Sequence, residues 1–220
     1  MNLPFWHLPH ELTVRGGMYP IRTDFRIGIR VRQLFWDPYL RTRRGIMIDT
    51  VRRLLFLEMP PAGADEDEAL LRAVLWYLLD GRMSPERLQK RLEVIASADD
   101  TEPTSDERHG IGQGVVLGTA TDERDEVFSY LWDMPAVYAA FRAAYRMDLY
   151  TETLHLWQFD ALFDALPENS TLRQTMALRA IHPEDAADDE TRVMLAAQKL
   201  ACRIPDYAEL CRIASGQQDV

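Results

Sequence analysis

The sequence predicts a mainly α-helical fold, a single helical domain of residues 1–215 with a short N-terminal β-hairpin and a frayed tail at 216–220. Three observations predict it. Apolar residues recur at helical spacing over most of the chain, residues able to cap or end helices sit between these stretches, and one strong hairpin turn signal, Gly16-Gly17, lies near the N-terminus.

The hairpin is expected over about residues 12–21. Leu12-Thr13-Val14-Arg15 and Met18-Tyr19-Pro20-Ile21 flank the two glycines, which can supply the positive φ angles of a two-residue turn. Pro20 has no N–H to donate, which places the second strand at an edge. Thr23 or Asp24 then caps a helix starting near Phe25, because a short side-chain oxygen satisfies the free N–H groups of the first turn. Ile27, Val31, Leu34 and Phe35 are expected on its inner face, with Arg22, Arg26 and Arg30, four residues apart, on its outer face.

Asp37-Pro38 reads as a second helix start, with helix through Ile46–Leu57 and an end at Pro60-Pro61. The acidic run Asp65–Glu68 suits the positive end of a helix that stops at Gly81. Ser84-Pro85-Glu86 opens another, with Leu88, Leu92 and Ile95 on one stripe. Residues 97–122 are acidic and rich in Ser, Thr, Pro and Gly, and are expected to form a long mobile loop. Helices resume near residue 123. Val137, Tyr138, Phe141, Ala144 and Tyr145 repeat at helical spacing, and the next helix, carrying Leu154, Leu156, Trp157, Phe159, Leu162 and Phe163, is apolar on nearly every side. Such a helix is expected at the middle of the fold, with Trp157 and Phe159 supporting its core.

Composition bounds the function. The longest strongly apolar run, Val74–Leu79, is far short of the roughly 20 residues of a membrane helix. Residues 1–7 have neither a basic leader nor a long apolar stretch, so no signal peptide is expected and the chain reads as soluble. Cys202 and Cys211 are read as free thiols. The net charge of −10 argues against a general nucleic-acid binder. Residues 1–60 nevertheless hold ten arginines against five acids, a net of +5 that leaves −15 for residues 61–220. Mutual neutralisation of the two parts explains this, and so does a basic patch serving a partner.

No constellation carries chemistry. Glu152-Thr153-Leu154-His155 has the Glu-x-x-His spacing that puts both side chains on one helical face, but a di-iron site needs a second copy and further glutamates, and none exists. Glu152 as a cap and His155 as a hydrogen-bonded structural residue is the better reading. His7 and His10 are too few ligands for a metal site. Gly110, Gly112 and Gly114 lack the G-x-G-x-x-G spacing of a dinucleotide loop. No nucleophile elbow occurs, and neither cysteine has a histidine or acid arranged beside it. No catalytic, cofactor-binding or metal-binding residue is assigned and no cofactor is expected. The only candidate site residues are Arg22, Arg26 and Arg30, as an exposed basic ridge for an acidic partner or a neighbouring subunit, with pairing to acids of the same chain as the alternative.

Two stretches resemble a phage family. Tyr19-Pro20-Ile21-Arg22-Thr23-Asp24-Phe25-Arg26 is similar to a Tyr-x-Ile-x-Thr-Asp-Phe-Arg element that follows a glycine-containing turn. Tyr138-Ala139-Ala140-Phe141, Tyr145, Asp148-Leu149, Leu154–Phe159, Ala161-Leu162 and Leu166-Pro167 resemble a second element. Together they look like the gene-product-fifteen family of long-tailed bacteriophages and prophages. The chain departs from the pattern at Leu156, where a second aromatic is usual, and at Gln158, where a lysine is usual.

The resemblance implies a non-catalytic role in tail morphogenesis, as a tail assembly chaperone that binds the tape-measure protein in the bacterial host cytoplasm. A structural protein retained in the virion tail is the alternative, and an enzyme or regulator on a shared helical fold a remoter one. The partners implied are the tape-measure protein and other tail proteins, with self-association left open, and neither nucleic acid nor membrane.

Overall fold

A computed structural model describes residues 8–36, 40, 43–81, 86, 127–206, 209 and 212. Among these, two strands, seven α-helices and one 3-10 turn occur, so the chain is mainly helical with a two-stranded antiparallel hairpin at its N-terminus. The helix starts read at Asp37 and Ser84 and the loop read at 97–122 lie outside the described residues. The chain divides into two compact units, Met1–Thr104 with Thr153–Leu162, and Ser105–Glu152 with Phe163–Val220.

In the first unit, β1 (Glu11–Val14) pairs with β2 (Gly17–Pro20), Val14 opposite Gly17 and Glu11 opposite Pro20. The turn is therefore Arg15-Gly16, one residue earlier than Gly16-Gly17. Both turn residues have positive φ, 47° and 82°, as a type I′ turn requires. Gly17 serves a different end: a Cβ there would sit 2.8 Å from the Tyr19 ring, which folds over it. Beyond the hairpin, Ile21 bridges antiparallel to Phe56, and the Leu57 N–H donates to the Pro20 carbonyl at 2.9 Å. The segment after the second helix thus runs along β2.

Asp24 caps α1 (Phe25–Trp36), its Oδ1 accepting from the Arg26 N–H at 2.8 Å. The buried face of α1 is Phe25, Gly28, Ile29, Val31, Arg32 and Phe35, while Ile27 and Leu34 are only half-buried. The face is rotated from the one expected because an arginine, Arg32, belongs to it. α2 (Arg44–Leu55) buries Met47, Ile48, Val51, Arg52 and Leu55. α3 (Ala64–Leu78) has Asp65, Glu66 and Asp67 in its first turn, where the helix dipole favours negative charge. Arg52 reaches from α2 to Asp67 and to the Pro61 carbonyl, and Arg15 of the hairpin turn pairs with Asp65 and Glu66 at 3.2 and 2.9 Å. Asp80 and Gly81 end α3 with positive φ, as the glycine suggested.

α5 (Leu156–Asp164) completes this unit through Leu162. Phe159 is fully buried and stacks on Phe25 with ring centroids 4.5 Å apart. Gly28 lets α1 meet Leu156, whose side chain would lie 2.6 Å from any Cβ at that position.

In the second unit, α4 (Tyr130–Tyr145) buries Asp133, Val137, Ala140 and Phe141. Ala144 is exposed and Tyr138 and Tyr145 are half-buried. Phe128, Tyr130 and Phe163 form a ring cluster, Phe128 lying 4.8 Å from Tyr130 and 5.1 Å from Phe163. Ser170 caps α6 (Thr171–Ala180) through the Arg173 N–H. The 3-10 turn Pro183–Asp185 leads to α7 (Asp189–Ala201), capped by Asp188 through the Thr191 N–H at 2.7 Å. The Thr191 bonds hold the Asp188 carboxyl below the usual carboxylate range.

Candidate functional site

The Glu-x-x-His stretch does not share a helical face. Residues 152–154 precede α5, Glu152 is exposed, and its N–H donates to the Asp148 carbonyl at 2.9 Å. His155 itself is the N-cap. Its Nδ1 accepts from the Trp157 N–H at 3.0 Å, while the Gln158 side chain accepts from the His155 N–H at 3.1 Å. This is a reciprocal capping box with imidazole in the place of a hydroxyl. With Nδ1 accepting, Nε2 carries the proton and donates to the Pro9 carbonyl at 3.0 Å. Burial pushes the His155 pKa below its ordinary value, and the bond to Pro9 partly offsets that. The structural role read for His155 holds. The capping role read for Glu152 belongs to His155, and Gln158, one of the two departures from the family pattern, closes the box.

Behind this cap lies a buried ionic centre. The Arg32 guanidinium meets the Asp160 carboxylate fork to fork, Nη1–Oδ1 at 2.7 Å and Nη2–Oδ2 at 2.5 Å, and Nη2 also donates to the Leu78 carbonyl at 2.6 Å. Both side chains are less than a tenth exposed. The arrangement joins α1, α3 and α5. Tyr77 is packed edge-on to His155, and burial raises its phenol pKa well above the ordinary tyrosine value, with Arg32 pulling the other way. The Trp157 indole donates to the Tyr77 carbonyl at 2.7 Å. Trp157 is half-buried, so it ties α5 to α3 from the rim of the core rather than from its middle.

The second unit has a centre of the same kind. Arg179 of α6 pairs with Asp133 of α4, Nη1–Oδ2 at 2.7 Å and Nη2–Oδ1 at 3.0 Å, and its Nε donates to the Cys202 carbonyl at 2.5 Å. Asp133 also accepts from the Ser129 N–H at 2.9 Å. One guanidinium therefore joins the start of α4, the end of α6 and the end of α7. The sequence reading missed both pairs. The available signal was position: Arg32 falls on the stripe of Phe25, Ile29 and Phe35, and Asp160 follows Phe159 in an otherwise apolar run.

The three candidate arginines do not form one ridge. Arg22 precedes α1, and its Nη1 lies 3.0, 3.0 and 2.6 Å from the carbonyl oxygens of Arg53, Leu54 and Phe56 at the end of α2. It neutralises the negative end of that helix. Arg26 pairs with Asp24 at 2.7 Å and lies over the Phe25 ring, as the same-chain alternative expected. Arg30 is exposed on α1.

Exposed apolar residues of the first unit include Met18, Leu57 and Met59, each more than half exposed. Met18 and Leu57 lie on the face opposite the buried Ile21 and Phe56, and Met59 follows two residues on. Among the described residues, no group of three or more His, Cys, Asp or Glu side chains could hold a metal ion, and no helix is long and apolar enough to cross a membrane.

The fold defines a helical protein whose buried charges are spent on joining helices, with open apolar surface left over. The chain belongs to the family described as Bacteriophage Gp15 protein, whose family model matches residues 7–201. That makes it a phage structural or morphogenesis protein. Comparison with curated proteins and with solved structures gave no match.

Proposed function

We propose that the chain is a non-catalytic tail morphogenesis protein that acts as a tail assembly chaperone, binding the tape-measure protein in the host cytoplasm before the tail tube polymerises around it. The observation that carries this reading is the family match over residues 7–201. The exposed Met18, Leu57 and Met59, the first two on one face, support it. A chaperone for a long helical partner needs apolar surface that adapts to many successive side chains, and unbranched, polarizable methionine is suited to that. Of the three arginines first considered for partner contact, Arg30 is the one whose exposure suits that role.

The test is co-expression with the tape-measure protein of the same genome, followed by affinity capture. The wild-type chain should retain the tape-measure protein, and a Met18→Glu/Leu57→Glu variant, altered only at exposed positions, should lose most of it while keeping its helical circular dichroism. Failure of the wild-type chain to retain the tape-measure protein would defeat the proposal.

A further inference from the structure

Register sets the open face of the hairpin. Glu11 stands opposite Pro20 and Thr13 opposite Met18, while Leu12 and Val14 are buried on the other side. Ile21 bridges Phe56 and the Leu57 N–H donates to the Pro20 carbonyl, so Leu57 falls beside Pro20. Cross-strand neighbours share a face. Glu11, Pro20 and Leu57 therefore lie in one row, with Thr13 and Met18 in the next.

The charges around this face are one-sided. The cations of the same elements are engaged within the chain. Arg15 is held by Asp65 and Glu66, Arg22 by three carbonyls at the end of α2, Arg52 by Asp67, and Arg53 by Asp49 at 2.8 Å. Glu11 and Glu58 are exposed, and neither forms an ion pair or a side-chain hydrogen bond among the described residues. Glu11 borders the apolar row directly, and Glu58 stands between Leu57 and Met59 in the chain. The N-terminal sixty residues are basic as a whole, yet here they present apolar side chains with two uncompensated carboxylates.

We propose that this face takes a basic amphipathic segment, its apolar stripe on Met18, Pro20 and Leu57 and its lysines or arginines beside Glu11 and Glu58. The proposal rests on the chaperone reading and adds the polarity of the segment that is bound. Apolar contact supplies most of the affinity, because exposed ion pairs contribute little one at a time. The two carboxylates steer the approach and reject an acidic segment, which would bring like charges together.

Binding of two synthetic amphipathic peptides of about 18 residues, leucine–lysine and leucine–glutamate, tests this by fluorescence anisotropy with the full chain. The leucine–lysine peptide should bind and the leucine–glutamate peptide should not. Glu11→Lys/Glu58→Lys should weaken the first about tenfold at low salt, with the difference shrinking as salt is added. Glu168→Lys/Glu190→Lys makes the same change in net charge at exposed sites of the second unit, and should leave binding within about twofold of wild type. Met18→Ser/Leu57→Ser should abolish binding with the circular dichroism unchanged.

Neither peptide bound, both bound alike, equal losses from the two charge reversals, or indifference to Met18→Ser/Leu57→Ser would each overturn the proposal. So would a concentration-dependent dimer abolished by Met18→Ser/Leu57→Ser, which would make the face a contact between copies. Because these assays contain no tape-measure protein, the two readings fail separately. Retention of the co-expressed tape-measure protein by a chain that ignores the leucine–lysine peptide would sink the polarity proposal alone.

Discussion

Arg32 and Asp160, 128 residues apart in sequence, meet through two parallel hydrogen bonds of 2.7 and 2.5 Å in the interior of the first unit. A third bond, from Arg32 to the Leu78 carbonyl, brings α3 to the same point. Two charges taken out of water are costly, and the forked geometry together with the bond to the Leu78 carbonyl offsets much of that cost.

Removing one partner should therefore cost far more than removing both. Asp160→Asn and Arg32→Met should each lower stability by about 3–5 kcal/mol, since each leaves a buried group uncompensated. The double variant Arg32→Met/Asp160→Leu should recover much of that loss. Urea denaturation of the three variants measures this, and a double-variant loss equal to the sum of the two single losses would mean that the pair is not coupled. Arg179 and Asp133 should behave in the same way in the second unit.

Stability should depend on His155 below neutral pH. Its folded-state pKa is depressed, so the unfolded chain takes up a proton first as pH falls. The stability held by the neutral imidazole is fully present above the unfolded value of about 6.5 and declines below it. Thermal melts between pH 5 and 8 should show that decline, and His155→Asn, which keeps a capping acceptor but cannot titrate, should flatten this component. An unchanged pH profile in the variant would assign the effect elsewhere.

Arg22 and Arg30 should separate. Arg22→Gln removes a cation from three carbonyls at the end of α2 and should cost about 1–2 kcal/mol. Arg30→Gln, at an exposed site, should stay within about 0.5 kcal/mol of wild type. Equal losses would contradict the division of roles drawn from the contacts.

The two aromatics of α5 should also differ. Phe159→Ala empties a fully buried site stacked on Phe25 and should cost about 3–5 kcal/mol. Trp157→Phe keeps most of the packing and loses chiefly the indole bond to Tyr77, about 1 kcal/mol. Denaturant midpoints rank them, and a larger loss for Trp157→Phe would place the load on the wrong ring.

What the sequence made legible was local chemistry. The Asp24 cap, the acidic first turn of α3 and its stop at Gly81 depend on neighbours within a few residues. The hairpin was readable, but its turn slipped by one because Arg15 accepts a left-handed conformation and Gly17 is needed under Tyr19.

The rest was not local. Leaving Arg32 out of the inner face of α1 misplaced that face, because Asp160, the reason for burying Arg32, lies far along the chain. An imidazole acting as a helix cap went unread because capping was sought in short oxygen-bearing side chains, which put Glu152 in the role of His155. The arginine ridge failed at Arg22, since fourfold spacing means a common face only where the chain is already helical.

The chaperone reading is tested most directly by quantitative mass spectrometry of purified virions from a phage carrying this gene, set beside particles from a strain in which the gene is interrupted. A tail assembly chaperone should be absent from finished wild-type virions while its loss leaves heads without tails. Recovery of the chain in purified virions, in fixed ratio to the tail proteins, would contradict that reading and make it a structural component of the tail.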